Sequence, residues 1–321
     1  MARRTVDVPA LVDSARAGAP RAVARLISLV EDAHPALREV MAALAPHTGN
    51  AWVIGLTGSP GVGKSTSTTA LVAAFRQRGM RIGVLAVDPS SPFSGGALLG
   101  DRIRMQDHAL DPEVYIRSMA SRGHLGGLSW AAPQAIRVLD AAGCDVVLVE
   151  TVGVGQSEVE IAGLADTSVV LLAPGMGDGV QAAKAGILEI GDVFVVNKAD
   201  RDGADATVRD LRHMISLGDR TEPGLWRPTV VKTVAAQGQG IDELVEALEK
   251  HHAFIAANGD LDRRRQRRAA DEIEAIALEA LRARFGRFGD HSALGTLARK
   301  VVDRELDPYA AADLLVDQLD I

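Results

Sequence analysis

The sequence predicts an α/β protein whose mostly parallel sheet is covered by helices on both faces, and three observations predict it. Seven short β-rich runs, at 52–56, 81–87, 114–117, 145–150, 168–172, 193–197 and 229–233, recur between residues 49 and 257. Stretches of helical period separate them, and such alternation is how a chain returns to lay strands side by side in parallel. Runs such as Val146-Val147-Leu148-Val149 are apolar at every position rather than at alternate ones, the pattern of a strand buried on both faces.

Residues 1–48 form an N-terminal helical segment. Val23, Leu26, Ile27 and Val30 fall on one stripe and Leu37, Val40, Met41 and Leu44 on another, with Pro20 and Pro35 suited to first-turn positions. Residues 49–257 carry the sheet. The break at Asn258-Gly259-Asp260 opens a C-terminal helical arm, 258–321, where the β-rich runs cease. Its apolar positions Ile273, Ile276, Ala277 and Leu281, then Leu294, Leu297, Val301 and Val302, make amphipathic helices. A stripe of this kind must be covered, by the chain's own core or by a second subunit.

Composition excludes several classes. The 321 residues are 47% hydrophobic and 24% charged, the balance of an ordinary globular chain with a buried core. A net charge of -7 with 3% aromatic residues argues against nucleic acid as a partner, which would call for a basic footprint and stacking platforms. No apolar run reaches the roughly 18 residues of a membrane span. The single Cys144 reads as a small buried hydrophobe and fits a reducing compartment, so the expected location is the cytoplasm.

The chemistry begins at Gly58-Ser59-Pro60-Gly61-Val62-Gly63-Lys64-Ser65, followed by Thr66. This matches G-x-x-x-x-G-K-[ST] and stands between an apolar strand and a helix, the setting of a P-loop. Its glycines let backbone N–H groups turn inward around phosphate oxygens, and the helix N-terminus adds a positive dipole end. Lys64 supplies a charge for the β- and γ-phosphates and the Ser65 hydroxyl a ligand for Mg²⁺. A nucleoside triphosphate is the expected ligand.

Acids at the ends of neighbouring strands are candidates for the metal and the attacking water. Glu150 closes the run 145–150 and leads into Thr151-Val152-Gly153, a D-x-x-G element with Glu in place of Asp. It would bind Mg²⁺ directly or through water, with the Gly153 N–H reaching the γ-phosphate. Asp88 closes another run and opens a loop that continues to Asp101. Asp88 and Asp101 would hold metal-bound waters or orient the attacking one, although Asp101 serves equally well as a helix cap. Arg104 reads as a solvated face with a possible cis role toward transition-state charge.

The base is read from Asn197-Lys198-Ala199-Asp200, an N-K-x-D directly after a strand. The Asp200 carboxylate accepts from both N1–H and the N2 amino group of guanine, whereas adenine presents an acceptor at N1. Sites built on such bonds discriminate by roughly 10⁴–10⁵. Asn197 bonds the O6/N7 edge or ties the loop together, Lys198 lies over the ring, and backbone N–H groups of Val234, Ala235 and Ala236 close over O6. GTP and GDP are therefore the expected nucleotides.

Taken in order, these motifs resemble the MeaB/ArgK-type family of P-loop GTPase chaperones, the family of the methylmalonic aciduria type A protein. The resemblance runs over nearly the whole chain and rests on 58–66, on Val87 through Met105, on 121–127, on 150–158, on 175–178 and on 197–200. It implies a SIMIBI-class sheet, a homodimer built through the C-terminal arm, and a complex with methylmalonyl-CoA mutase or a related cobalamin-dependent acyl-CoA mutase. There such a protein gates adenosylcobalamin delivery and protects the mutase, with GTP hydrolysis setting the timing. It also implies a nucleotide-sensing segment near 174–184, where Gly175, Gly177 and Gly179 supply backbone freedom. The alternative is a lysine/arginine/ornithine transport system kinase that passes phosphate to a protein. Val154 stands where many GTPases carry a water-orienting Gln, so slow intrinsic hydrolysis is expected.

Two weaker features remain. The basic run from Arg263 to Arg268 is followed by Asp271, Glu272 and Glu274 and reads as a solvated helix face with i,i+4 pairs, or second as a surface for an acidic partner. His251, His252 and His291 have no Cys or carboxylate cluster at ligand spacing, which argues against a metal-chaperone role.

Overall fold

The computed structural model describes residues 6–88, 108, 110–120, 131–151, 157–175, 188–217, 224–287 and 293–317. Each predicted run is a strand: β1 (Trp52–Thr57), β2 (Ile82–Asp88), β3 (Val114–Ala120), β4 (Val146–Thr151), β5 (Thr167–Leu172), β6 (Val193–Asn197) and β7 (Thr229–Thr233). They pair in the order β3-β2-β4-β1-β5-β6-β7, and every pairing is parallel. All the strand ends that carry motif residues therefore lie along one edge, where open α/β sheets bind ligands.

Period-two alternation divides each strand between two cores. Ile54, Leu56 and Leu148 face a layer formed by α4 (Lys64–Gln77) and, farther along the chain, α8 (Ile241–Ala257), with Phe75 and Leu248 at its centre. Val53, Val147 and Val149 face the opposite layer. That layer holds α1 (Val8–Arg16), α2 (Pro20–Glu31), α3 (Leu37–Leu44), α5 (Ala132–Ala141) and α6 (Ser157–Leu164). A third cluster packs α7 (Ala204–Leu217) on β5 and β6 around Phe194.

The N-terminal helices thus share the sheet's core. Val23, Leu26, Ile27 and Val30 are all buried in α2, as the stripe requires. Pro20 is the first residue of α2. Pro35 instead stands in the turn before α3, whose first residue is Leu37; Ala36 N–H donates to His34 Nδ1 there, and that turn takes the place of a first-turn proline. At the edge strand Tyr115 donates to Gly18 O at 3.1 Å, and Arg117 pairs with Glu31. The connection into β1 is gripped from two sides. Asp140 accepts the N–H groups of Gly49, Asn50 and Ala51, and Arg265 donates to the carbonyls of Gly49 and Ala51.

Contacts divide the chain into two units, Met1–Arg265 and Gln266–Ile321. Helix α9 (Asp260–Arg287) begins in the first. In the second, α10 (Ala293–Val302) and α11 (Pro308–Asp317) pack on each other, with Leu297 and Ala311 buried. Much of the predicted apolar stripe is uncovered there: Ile273 is 68% exposed and Val302 76%, and Ile276 and Leu294 are exposed as well.

Candidate functional site

The loop from Gly58 to Gly63 joins β1 to α4 at the carboxyl edge of the sheet. Its shape demands glycine at two points. Gly58 has φ +142° and a Cβ there would lie 2.3 Å from Leu171 O; Gly63 has φ +97° and a Cβ would lie 2.4 Å from Asn197 Nδ2. Both approaches are closer than any side chain allows. The Lys64 ammonium is nearly buried and donates to Gly58 O at 2.7 Å and Ser59 O at 3.2 Å. Its charge is thereby held inside its own loop. Ser59 is half-buried, Pro60, Gly61 and Thr66 are exposed, and Val62 is buried.

Glu150 sits beside this loop because β4 pairs with β1, Leu56 opposite Glu150. The carboxylate is buried. Ser65 Oγ donates to its Oε1 at 2.6 Å and Thr68 Oγ1 to its Oε2 at 3.0 Å. A hydroxyl oxygen and a carboxylate are both hard oxygen donors, and two such donors side by side suit Mg²⁺. On donor chemistry, Ser65 and Glu150 fit the metal that a P-loop implies.

The other nominated acids stand differently. The backbone of Asp88 ends β2 beside β4, with Val87 opposite Thr151, so it shares the edge with Glu150. Asp101, Arg104, Gly153, Val154 and His291 lie outside the described residues, as do 121–127 and, of the segment 174–184, all but Pro174 and Gly175. Among the described residues, no group of three or more His, Cys, Asp and Glu is placed to hold a metal.

On the base side Asn197 is a buried hub. Its Nδ2 donates to Val62 O at 2.8 Å, while its Oδ1 accepts from Thr233 Oγ1 and Ala235 N, each at 3.1 Å. These bonds join the phosphate loop, the end of β7 and the loop after it. Lys198 has φ +57° and donates to Gly61 O at 2.6 Å. Ala199 N–H donates to Thr233 O at 3.0 Å, which presents Asp200 exposed at the edge. The Val234 N–H is committed to Gln239 O and that of Ala235 to Asn197, so of the three amides these bonds leave Ala236 for a ligand. Thr68 and Thr233 went unnoticed in the sequence; the only signal is a hydroxyl residue one helical turn past Lys64 and another at a strand end.

A second polar cluster lies at the opposite edge, at the amino ends of β5 and β6. Thr167 Oγ1 is 2.9 Å from His251 Nδ1, and His251 Nε2 is 3.3 Å from Asp192 Oδ1. The geometry resembles a nucleophile, base and acid, but Thr167 and His251 are completely buried and Asp192 is nearly so. Trp52 Nε1 also donates to the Thr167 hydroxyl at 3.1 Å, so the group is a packed network without room for substrate. The basic run is not a wholly solvated helix face. Arg264 donates to both oxygens of Asp192 at 2.8 and 3.0 Å, and Arg265 to Asp166 at 3.0 Å. Two of the arginines bind buried carboxylates, Asp192 and Asp166, which stand one residue before β6 and β5 and whose buried charge calls for a cation; Arg263 remains exposed beside Asp260. Burial alone would raise the Asp192 carboxyl, but the adjacent His251 ring and the bonds from Arg264 outweigh it and hold it below the usual carboxylate range. Cys144 is buried, as expected, and burial pushes its thiol up.

A family model described as methylmalonyl Co-A mutase-associated GTPase MeaB matches residues 23–288. A protein of Pyrococcus abyssi, provisionally named a GTPase, is 47% identical over 310 residues, 96% of each chain. The mitochondrial methylmalonic aciduria type A homolog of Mus musculus is 37% identical over 268 residues, 82% of this chain and 64% of that one. Among solved structures, a LAO/AO transport system kinase aligns with a TM-score of 0.72 at 26% identity, covering 99% of this chain and 100% of that one. With the family model matched from residue 23 to 288 and the Pyrococcus abyssi relative aligned over 96% of the chain, the chain belongs to the MeaB family of methylmalonyl Co-A mutase-associated GTPases.

Proposed function

We propose that the chain hydrolyses GTP with Mg²⁺ and uses its nucleotide state to gate adenosylcobalamin delivery to methylmalonyl-CoA mutase, or a related acyl-CoA mutase, and to protect it. The observation that carries the nucleotide chemistry is the bonded set Lys64, Ser65, Glu150 and Asn197, four residues from three separate stretches of sequence gathered on one sheet edge. Lys64 offers its ammonium to the β- and γ-phosphates in exchange for the loop carbonyls it now holds. Ser65 and Glu150, with Asp88 and Asp101 through water, hold Mg²⁺, which when bound offsets the charge on the transferred phosphoryl group. Asn197 fixes the spacing between phosphate loop and base loop, and Asp200 selects guanine. Gly153 senses the γ-phosphate. With Val154 in the water-orienting position, turnover by the isolated protein is slow and rises with the partner.

The partner assignment draws on the family name and on the mouse relative. The exposed stripe of the C-terminal arm pairs with a second copy of the chain, making a homodimer. No helix among the described residues is long and apolar enough to cross a membrane, and the cytoplasm is the location we assign. The deciding experiment is GTP and ATP turnover by the purified protein, alone and with methylmalonyl-CoA mutase, with Lys64→Ala as the blank. Slow GTP turnover that rises with mutase supports the reading; turnover indifferent to mutase removes the partner, and equal use of ATP removes the role of Asp200.

A second reading, a transport-system kinase, is favoured by one comparison, the LAO/AO transport system kinase of similar fold. Transfer of labelled γ-phosphate to a protein, rather than its release as inorganic phosphate, would establish it.

A further inference from the structure

Glu150 raises a geometric question of its own. It stands where D-x-x-G elements carry Asp, and its side chain has one more methylene and one more rotatable bond, so its carboxylate has more positions to occupy. Something must select one. Thr68 is completely buried on the face of α4 that meets β4, and its Oγ1 stands 3.0 Å from Glu150 Oε2 and 3.1 Å from Lys64 O. A hydroxyl has one proton to give. The Lys64 carbonyl is already the i−4 acceptor of the helix ladder, whereas a carboxylate is the stronger, charge-assisted acceptor. The proton belongs to Glu150.

We propose that Thr68, outside every recognised motif, is a positioning residue for the divalent cation: it pins Oε2 of Glu150 so that Oε1 stays against Ser65. This rests on the nucleotide-site reading above. Each carboxylate oxygen accepts from a hydroxyl of the same helix, Oε1 from Ser65 and Oε2 from Thr68, and these two residues lie three apart and therefore on the same face. The longer acid is usable in this site because the helix that bears the metal-ligating hydroxyl also bears its anchor. Thr68 touches neither nucleotide nor metal; it acts through Glu150.

The test titrates Mg²⁺ into the full-length protein loaded with a fluorescent GDP analogue, and measures binding of the same analogue in EDTA. Thr68→Val keeps the shape and removes the proton; Thr68→Ser keeps the proton. Expected are about a 10-fold or greater loss of Mg²⁺ affinity in Thr68→Val, the usual scale for removing a partner of a metal ligand, with unchanged binding in EDTA and recovery in Thr68→Ser. In a Glu150→Asp background, where the shorter acid cannot reach, Thr68→Val should add no further loss. Should Thr68→Val fold poorly, Thr68→Ala against Thr68→Ser makes the same comparison. Wild-type Mg²⁺ affinity in Thr68→Val, or a Thr68→Ser variant as weak as Thr68→Val, overturns the inference. Failure of the wild-type protein to bind GDP at all would overturn instead the reading beneath it.

Discussion

Asn197 donates through Nδ2 to the carbonyl of Val62 at 2.8 Å, a bond across 135 residues of sequence that makes the phosphate loop and the base loop one piece. The contact is tight enough that a Cβ on the adjacent Gly63 would lie 2.4 Å from that same nitrogen. Replacing Asn197 with Ala strips Thr233 Oγ1 and Ala235 N–H of their buried acceptor, at about 1–3 kcal/mol each. The expected result is weaker binding of GTP and GDP by 10-fold or more with a lowered Tm, read by calorimetric titration and thermal unfolding.

Asp200 is exposed at the sheet edge on a loop fixed by the Ala199 to Thr233 bond. Asp200→Asn exchanges an acceptor pair for an amide that faces guanine's N2 amino group with a donor. Affinity for GTP should fall by roughly 100-fold or more while that for XTP, whose C2 bears an oxygen, rises. Competition binding with the two nucleotides checks this; parallel losses for both would remove Asp200 from base selection.

Arg264 and Asp192 predict an acid sensitivity. The Asp192 carboxyl is held below its ordinary range in the folded chain, so its contribution to stability is complete above the ordinary carboxylate pKa of about 4 and is lost as pH falls from there toward the folded value. Arg264→Ala leaves a buried carboxylate with one partner fewer and should cost about 3–5 kcal/mol. Its acid unfolding should begin at higher pH than the wild type's. Adding Asp192→Asn should restore part of the loss, as denaturant titration of the pair would report.

Ile273 and Ile276 lie one turn apart on α9 and are both exposed. If the stripe is the contact between two copies, Ile273→Glu converts the protein to a monomer in light scattering at micromolar concentration, with little change in Tm for the sheet-bearing unit. Persistence of the dimer would place the contact elsewhere.

The fold was legible because its signal is local. A buried parallel strand is apolar through its middle, a mark carried by the central runs 52–56, 81–87, 145–150, 168–172 and 193–197, while 114–117 and 229–233, with Arg117 and Lys232, are β-rich but mixed and became the two edge strands. Lys64, Ser65, Glu150 and Asn197 were legible because motif spacing encodes a loop between a strand and a helix. Arg264 and Arg265 were not, since their partners Asp192 and Asp166 are 72 and 99 residues away, whereas Asp271 and Glu272 offered nearer pairings at helical spacing. Thr68 was missed because a lone hydroxyl in a helix has no pattern; only the pairing of β4 with β1 puts Glu150 within its reach. Pro35 suits a first turn by its sequence, but the turn at His34 delays α3 by two residues, and nothing local in the sequence marks that turn.

The grip on residues 49–51 bears on how the molecule comes apart. A protease needs several residues of backbone peeled into its cleft, and this stretch has its amides held by Asp140 and its carbonyls by Arg265, one acid and one base on the two edges of the same strip of chain. The passage from the N-terminal helices into the sheet is therefore a seam that resists nicking although Gly49 and Asn50 are exposed. Trimming the chain to isolate a smaller nucleotide-binding core would cut through that seam, and fragments beginning at Trp52 should lose the sheet along with the helices.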